Sequence, residues 1–156
     1  MIRKNLDKIL IALSLLLGVL AIVMLCAAGI SPKSDYKALG AESYSMAKIT
    51  FGYKMDTPIG AMTIFKFSFP NLLTYILIVA GLVCGVLALL GKGGKIVSYV
   101  SAGLLLVAGV LYFCAGKLLN TENSSDAYTI GIGSILGGIF SILAAVSVLV
   151  PTFLKK

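Results

Sequence analysis

An antiparallel bundle of four membrane-spanning helices, capped at one end by a small β-hairpin or sheet, is the fold class this sequence predicts. Three observations carry that expectation. Four uninterrupted apolar runs divide the chain, their connectors carry unequal charge, and the longest connector changes to an alternating pattern. Of 156 residues, 59% are apolar and only 12% charged, with a mean hydropathy of +1.04. A water-soluble domain of this length needs far more polar surface to cover its core.

The runs cover residues 9–30, 71–90, 96–116 and 129–150, and none contains Asp, Glu, Lys or Arg. At about 1.5 Å per residue each is long enough for the ~30 Å hydrocarbon layer of a bilayer. Lipid offers the backbone no hydrogen-bond partners, so such runs must be helices. Pro70 precedes the second run and Pro151 follows the fourth, where a helix tolerates them. The first run follows Arg3 and Lys4 and ends near Cys26-Ala27-Ala28. It exceeds a signal core of about 7–15 residues and reads as a retained span.

Charge orients the bundle. Residues 1–8, 91–95 and 151–156 carry Arg3, Lys4, Lys8, Lys92, Lys95, Lys155 and Lys156 against the single acid Asp7. The other side, residues 31–70 and 117–128, holds six lysines against five acids. Dense positive charge in short segments marks the cytoplasmic face, so both termini are expected inside, in a plasma or cytoplasmic membrane. The net charge of +7 then serves mostly to engage anionic lipid. No basic face is large enough to grip a duplex, so nucleic acid is not an expected partner.

The connectors differ in kind. The five residues 91–95 force spans two and three into a tight hairpin. Residues 117–128 form a polar turn with Asn120, Glu122, Asn123, Ser124, Ser125 and Asp126, including the sequon Asn123-Ser124-Ser125. The 40 residues 31–70 are long enough for a structure of their own. There Ala47, Ile49, Phe51, Tyr53 and Met55 alternate with Lys48, Thr50, Gly52, Lys54 and Asp56. Beyond the turn at 56–60, Phe65, Phe67 and Phe69 alternate with Ile64, Lys66 and Ser68. Two alternating runs around a Pro/Gly turn predict an antiparallel hairpin. A lone hairpin is marginal in water, so it should pack on the helix ends or gain a strand from residues 36–44.

Four spans, cytoplasmic ends, a long β-containing first outer loop and a short second one make the chain resemble the claudin-type tetraspans in architecture. That resemblance implies a bundle with an outer β-element. The tryptophan signature and cysteine pair of claudin first loops are absent from residues 31–70, so barrier or pore function does not carry over with it. The leaning toward Ile, Lys and Asn is similar to that of small bacterial membrane proteins.

Small residues at four-residue spacing, Gly81 and Gly85, Gly133 and Gly137, and Ser14 and Gly18, let helices approach closely. They are expected to pack the bundle, or else to form a seam between copies. Cys26, Cys84 and Cys114 lie within spans and read as small apolar packers, although Cys26 and Cys114 are near enough in depth to pair. Three separated thiols without histidine give no metal site, and no cofactor motif is present. Proton relays and ion-coupled transport use ionisable residues inside the membrane, and the apolar runs have none. Ser98, Ser101, Ser134 and Ser141 lack a base to activate them, so no enzyme is expected.

The first outer loop is left to do the work. Lys48, Phe51, Tyr53, Lys54, Phe65, Lys66 and Phe67 are its candidate recognition residues. The expected function is a non-catalytic structural, accessory or recognition module that contacts membrane lipid and another membrane or surface protein, or a second copy. A homo-oligomeric uncharged pore is the alternative from a different class, and a small immunity-type protein that masks a membrane target is a third.

Overall fold

The computed structural model describes residues 2–38, 40–119 and 127–154, with side chains from Asn5 onward. The polar turn at residues 120–126 and its sequon lie outside the described residues. Among those described, four helices are long and apolar enough to cross a membrane. They are α1 (Ile2–Val23), α4 (Phe69–Leu89), α5 (Gly94–Cys114) and α6 (Ile132–Leu154). Helix α1 packs on α4 and α6, and α5 packs on the same two, which closes an antiparallel ring.

The elements between them cap the end opposite the chain termini. A 3-10 turn (Met24–Cys26) leads from α1 into strand β1 (Ala28–Pro32). A helical turn α2 (Ser34–Lys37), strand β2 (Tyr44–Ser45) and helix α3 (Met46–Phe51) follow. The hairpin β3 (Tyr53–Thr57) and β4 (Gly60–Phe65) then returns the chain to α4, and β5 (Tyr128–Ile130) precedes α6. Strands β2-β1-β5 make one antiparallel sheet and β3-β4 a second.

Several boundaries differ from the sequence reading. The run 9–30 is not helical throughout. Its last residues form β1, held by pairing Ile30 with Ile130 and Pro32 with Tyr128. Helix α1 instead begins earlier and takes in Asp7 and Lys8, with Asp7 only 8% exposed. The run 129–150 likewise opens as strand β5, and α6 runs on to Leu154 with Pro151 inside it. A proline so near the helix end sacrifices one backbone bond close to where the ladder stops anyway.

The alternating run 47–56 also splits. Its first half is helix α3, because Met46, Ile49 and Thr50 are all buried on one helical face and the Ser45 hydroxyl accepts from the Lys48 amide at 3.4 Å. That is an N-cap, and it wins over the two-residue period. Gly52 ends the helix at φ 92°, a left-handed conformation that other residues rarely adopt. Only then does the hairpin start, with Thr57 opposite Gly60 and the Thr57 hydroxyl donating to the Gly60 carbonyl at 2.6 Å. Strand β4 stops at Phe65, and Phe69 opens α4. Residues 36–44 add no strand to the hairpin; β2 pairs with β1 instead.

Within the bundle, hydroxyls stitch helix to helix. Ser14 donates to the Ala144 carbonyl at 2.8 Å, Ser101 to Gly81 at 2.7 Å and Ser141 to Leu105 at 2.6 Å. Tyr112, fully buried, donates to the Ala21 carbonyl. At the cap, Ser134 donates to the Gly29 carbonyl at 2.8 Å. A helical carbonyl has a second lone pair beyond the one its own ladder uses, so these bonds cost no helix hydrogen bond.

The joint between β5 and α6 is the tightest backbone approach. A Cβ on Gly131 would stand 2.3 Å from the Ala28 carbonyl oxygen, beside the bond from the Gly131 amide to the Gly29 carbonyl at 2.9 Å. We expect Gly131→Ala to lower unfolding stability by about 1–3 kcal/mol through overpacking. Gly103, which faces open space, should accept Ala with a gain of up to about 1 kcal/mol. Thermal unfolding of the two variants in one detergent checks the contrast; equal midpoints would contradict the assigned joint.

Candidate recognition site

The cap is built around a cluster of aromatic rings. Phe65, 2% exposed, meets Tyr44 edge-on with centroids 5.0 Å apart and Tyr128 at 6.0 Å. Tyr44 also contacts Tyr53 at 5.7 Å and Tyr128 at 6.0 Å. Residues from β2, β3, β4 and β5 thus meet in one cluster, and the two sheets share it. Edge-on ring pairs contribute about 0.5–1.5 kcal/mol beyond their buried area. The Lys48 ammonium stands 4.2 Å from the Tyr53 ring centroid and 6.0 Å from that of Tyr44, an arrangement in which the cation is drawn to the ring faces.

Beside this cluster runs an open groove of about 510 Å³, and Phe51, Tyr53, Lys54, Phe65, Lys66 and Phe67 all line it. Six of the seven candidate recognition residues therefore share one surface, and the seventh, Lys48, stacks on the Tyr53 ring that forms its wall. Phe51 is 58% exposed and Phe67 48%. Gly52 also lines the groove, and a Cβ there would stand 3.1 Å from the Phe65 carbonyl oxygen. The groove thus combines a fixed aromatic floor with exposed rings and lysines at its rim.

Beneath it the cap is pinned to α4. The Ser68 amide donates to the Thr50 carbonyl at 2.9 Å and the Ser68 hydroxyl to the Leu118 carbonyl at 2.8 Å. The Asn71 amide reaches the same carbonyl at 3.4 Å. Thr50 Oγ1, Asn71 Oδ1 and the Tyr75 hydroxyl are buried without a hydrogen-bond partner among the described residues. Asn71 and Tyr75 are one turn apart, on one face of α4. Nothing in the sequence singled out these three. For Asn71 and Tyr75, a polar residue just inside an apolar run was the only signal.

The small residues proposed for helix packing all meet this chain's own elements. A Cβ on Gly18 would run into Leu82, on Gly81 into Leu105, on Gly85 into Leu15, and on Gly133 and Gly137 into Ala27 and Tyr112. Ser14 bonds to Ala144. The sequence reading missed a close backbone approach of α5 and α6, Gly109 against Gly138, where each Cβ would stand 3.2 Å from the other's carbonyl oxygen. Cys26, Cys84 and Cys114 are free thiols. Among the described residues no three His, Cys, Asp or Glu side chains are grouped to hold a metal ion.

No family model, no curated protein and no solved structure matches this chain.

Burial, then the neighbouring Tyr128, Glu42 and Tyr53, raise the Tyr44 phenol above its ordinary value of 10.0. The folded cap therefore favours the protonated ring. Its contribution is complete below pH 10.0 and is lost as pH rises through the higher folded value. An absorbance titration of phenolate should show a component that ionises above the ordinary tyrosine range, and Tyr44→Phe should reduce its amplitude by one ring.

Proposed function

We propose that this chain is a non-catalytic integral membrane module whose bundle anchors it and whose groove recognises a partner protein at the membrane surface. The observation that carries the reading is the convergence of Phe51, Tyr53, Lys54, Phe65, Lys66 and Phe67 on one groove. Exposed rings around a desolvated aromatic floor are what binding hot spots are made of. The lysines at the rim favour a partner that presents carboxylates beside an apolar side chain. The floor is also rigid, since Phe65 is locked into the ring cluster, so less conformational freedom is lost on binding.

The bundle supports an anchoring role. Its interior is filled by Ala, Gly and Ser around Tyr112, and the hydroxyls of Ser101, Ser134 and Ser141 are committed to carbonyls. None is held ready as a nucleophile. The charge count, seven cations to one acid at the terminal end, favours an orientation with the termini in the cytoplasm and the groove outside. At the level of architecture the arrangement is tetraspan-like, a four-helix bundle under a small sheet.

The test is retention of a partner by the full chain extracted in mild detergent from its native membrane. Phe51→Ala and Lys54→Glu should each weaken partner retention at least tenfold while leaving the unfolding midpoint unchanged, because both side chains are exposed. If both variants hold the partner as tightly as the unmodified chain, the recognition reading fails.

A further inference from the structure

The hairpin of β3 and β4 is a sheet of two strands, and among the described residues no third strand joins it. Such a sheet keeps an open edge on each side, with backbone donors and acceptors that serve as a template for another strand. The register identifies those groups on β3. Thr57 pairs with Gly60, Asp56 with Ala61, Met55 with Met62 and Lys54 with Thr63. Across a two-residue loop the closing pair exchanges backbone bonds, and the exchange recurs at every second pair. Thr57 and Met55 therefore bond inward to β4. Lys54 and Asp56 turn their N–H and C=O outward, along the free edge.

The side chains there are exposed too. Lys54 and Asp56 share one face of the strand, and Met55, 36% exposed, lies on the other. The sequence Tyr53-Lys54-Met55-Asp56-Thr57 is self-complementary about its centre. Set against itself in the opposite direction, it brings Lys54 opposite Asp56 and Asp56 opposite Lys54. Those are also the two residues whose outward backbone groups are positioned to exchange bonds. Charge and backbone thus ask for the same register. A slip to the next registers with facing backbone groups would put Lys54 opposite Lys54, or Asp56 opposite Asp56, and like charges directly opposite are unfavourable.

We propose that the outer edge of β3 pairs with the same edge of a second copy of this chain, antiparallel and centred on Met55. The contact is isologous, so one two-fold axis generates both Lys54–Asp56 pairs. It also sets the tip of each hairpin beside the base of the other. Ile59, 99% exposed at the tip, then comes toward Phe51, 58% exposed at the base. The proposal stands on the strand edge and is independent of what fills the groove, whose lining does not include Asp56.

Disulfide trapping of the full chain in lipid vesicles under mild oxidation tests it. At the two-fold axis the Met55 Cα atoms would stand about 4.5 Å apart, within reach of a disulfide. The unmodified chain, with free Cys26, Cys84 and Cys114, gives the background. Above it, Met55→Cys should form at least fivefold more covalent dimer than Met62→Cys, which is 54% exposed but lies on β4, farther from the axis. Adding Lys54→Glu or Asp56→Lys to Met55→Cys sets like charges opposite each other and should cut the dimer at least fivefold. Mixing those two chains should restore it, as should both reversals in one chain. Asp56→Lys should still retain the partner assigned to the groove, so either reading can fail without the other. Equal trapping at Met55→Cys and Met62→Cys would mean random collision and would overturn the proposal. So would trapping that the single reversals leave unchanged, or a loss that neither mixing nor the double reversal restores.

Discussion

A polar atom inside an apolar bundle has no water to turn to, and that constraint organises this molecule. Ser14, Ser101, Ser141 and Tyr112 each lie in a helix and each donates to a carbonyl on a different one. Such bonds are worth about 0.6 kcal/mol apiece on average in membrane helices, so their number sets the stability less than their placement sets the geometry. Each fixes which turn of one helix faces which turn of the next. Glycines at the crossings then let the backbones close to the distance that a short hydroxyl can span.

The same constraint ties the cap to the bundle. Ser134, near the start of α6, reaches out to the Gly29 carbonyl on β1 and lies 3.2 Å from the Met46 sulfur. Met46 opens α3, so sheet, short helix and bundle meet at a single hydroxyl. From that base the ring cluster of Tyr44, Tyr53, Phe65 and Tyr128 carries the hairpin, and the groove inherits its position from the helices beneath. The aromatic surface is thus displayed by a supported element, unlike a free loop, and its rings need little ordering before a partner arrives.

The four helices were legible because a run of some 20 apolar residues in lipid has few alternatives to a helix. Their ends were not. Strands β1 and β5 are as apolar as the helices they adjoin, and only the pairing of Ile30 with Ile130 separates them, a contact no local pattern can carry. In α3 the two periods coincide, since Ile49 and Phe51 alternate with Thr50 while Met46, Ile49 and Thr50 also fall on one helical face; the Ser45 cap decided it. The groove was readable because its aromatic and basic residues come from one continuous stretch. By contrast, the cavity lined by Ile11, Ala88, Ser98 and Thr152 draws on α1, α4, α5 and α6 together, and no local pattern announces it.

The pairing of β1 with β5 has a consequence for how the chain is made. Ile30 leaves the ribosome a hundred residues ahead of its partner Ile130. Throughout that interval β1 waits with one edge open, and an open edge invites the wrong neighbour. A product that stops before the last helix would keep that edge exposed for good, along with the Gly29 carbonyl that Ser134 should cover. Completion of synthesis is thereby written onto the surface of the molecule, where a quality-control protease could read it.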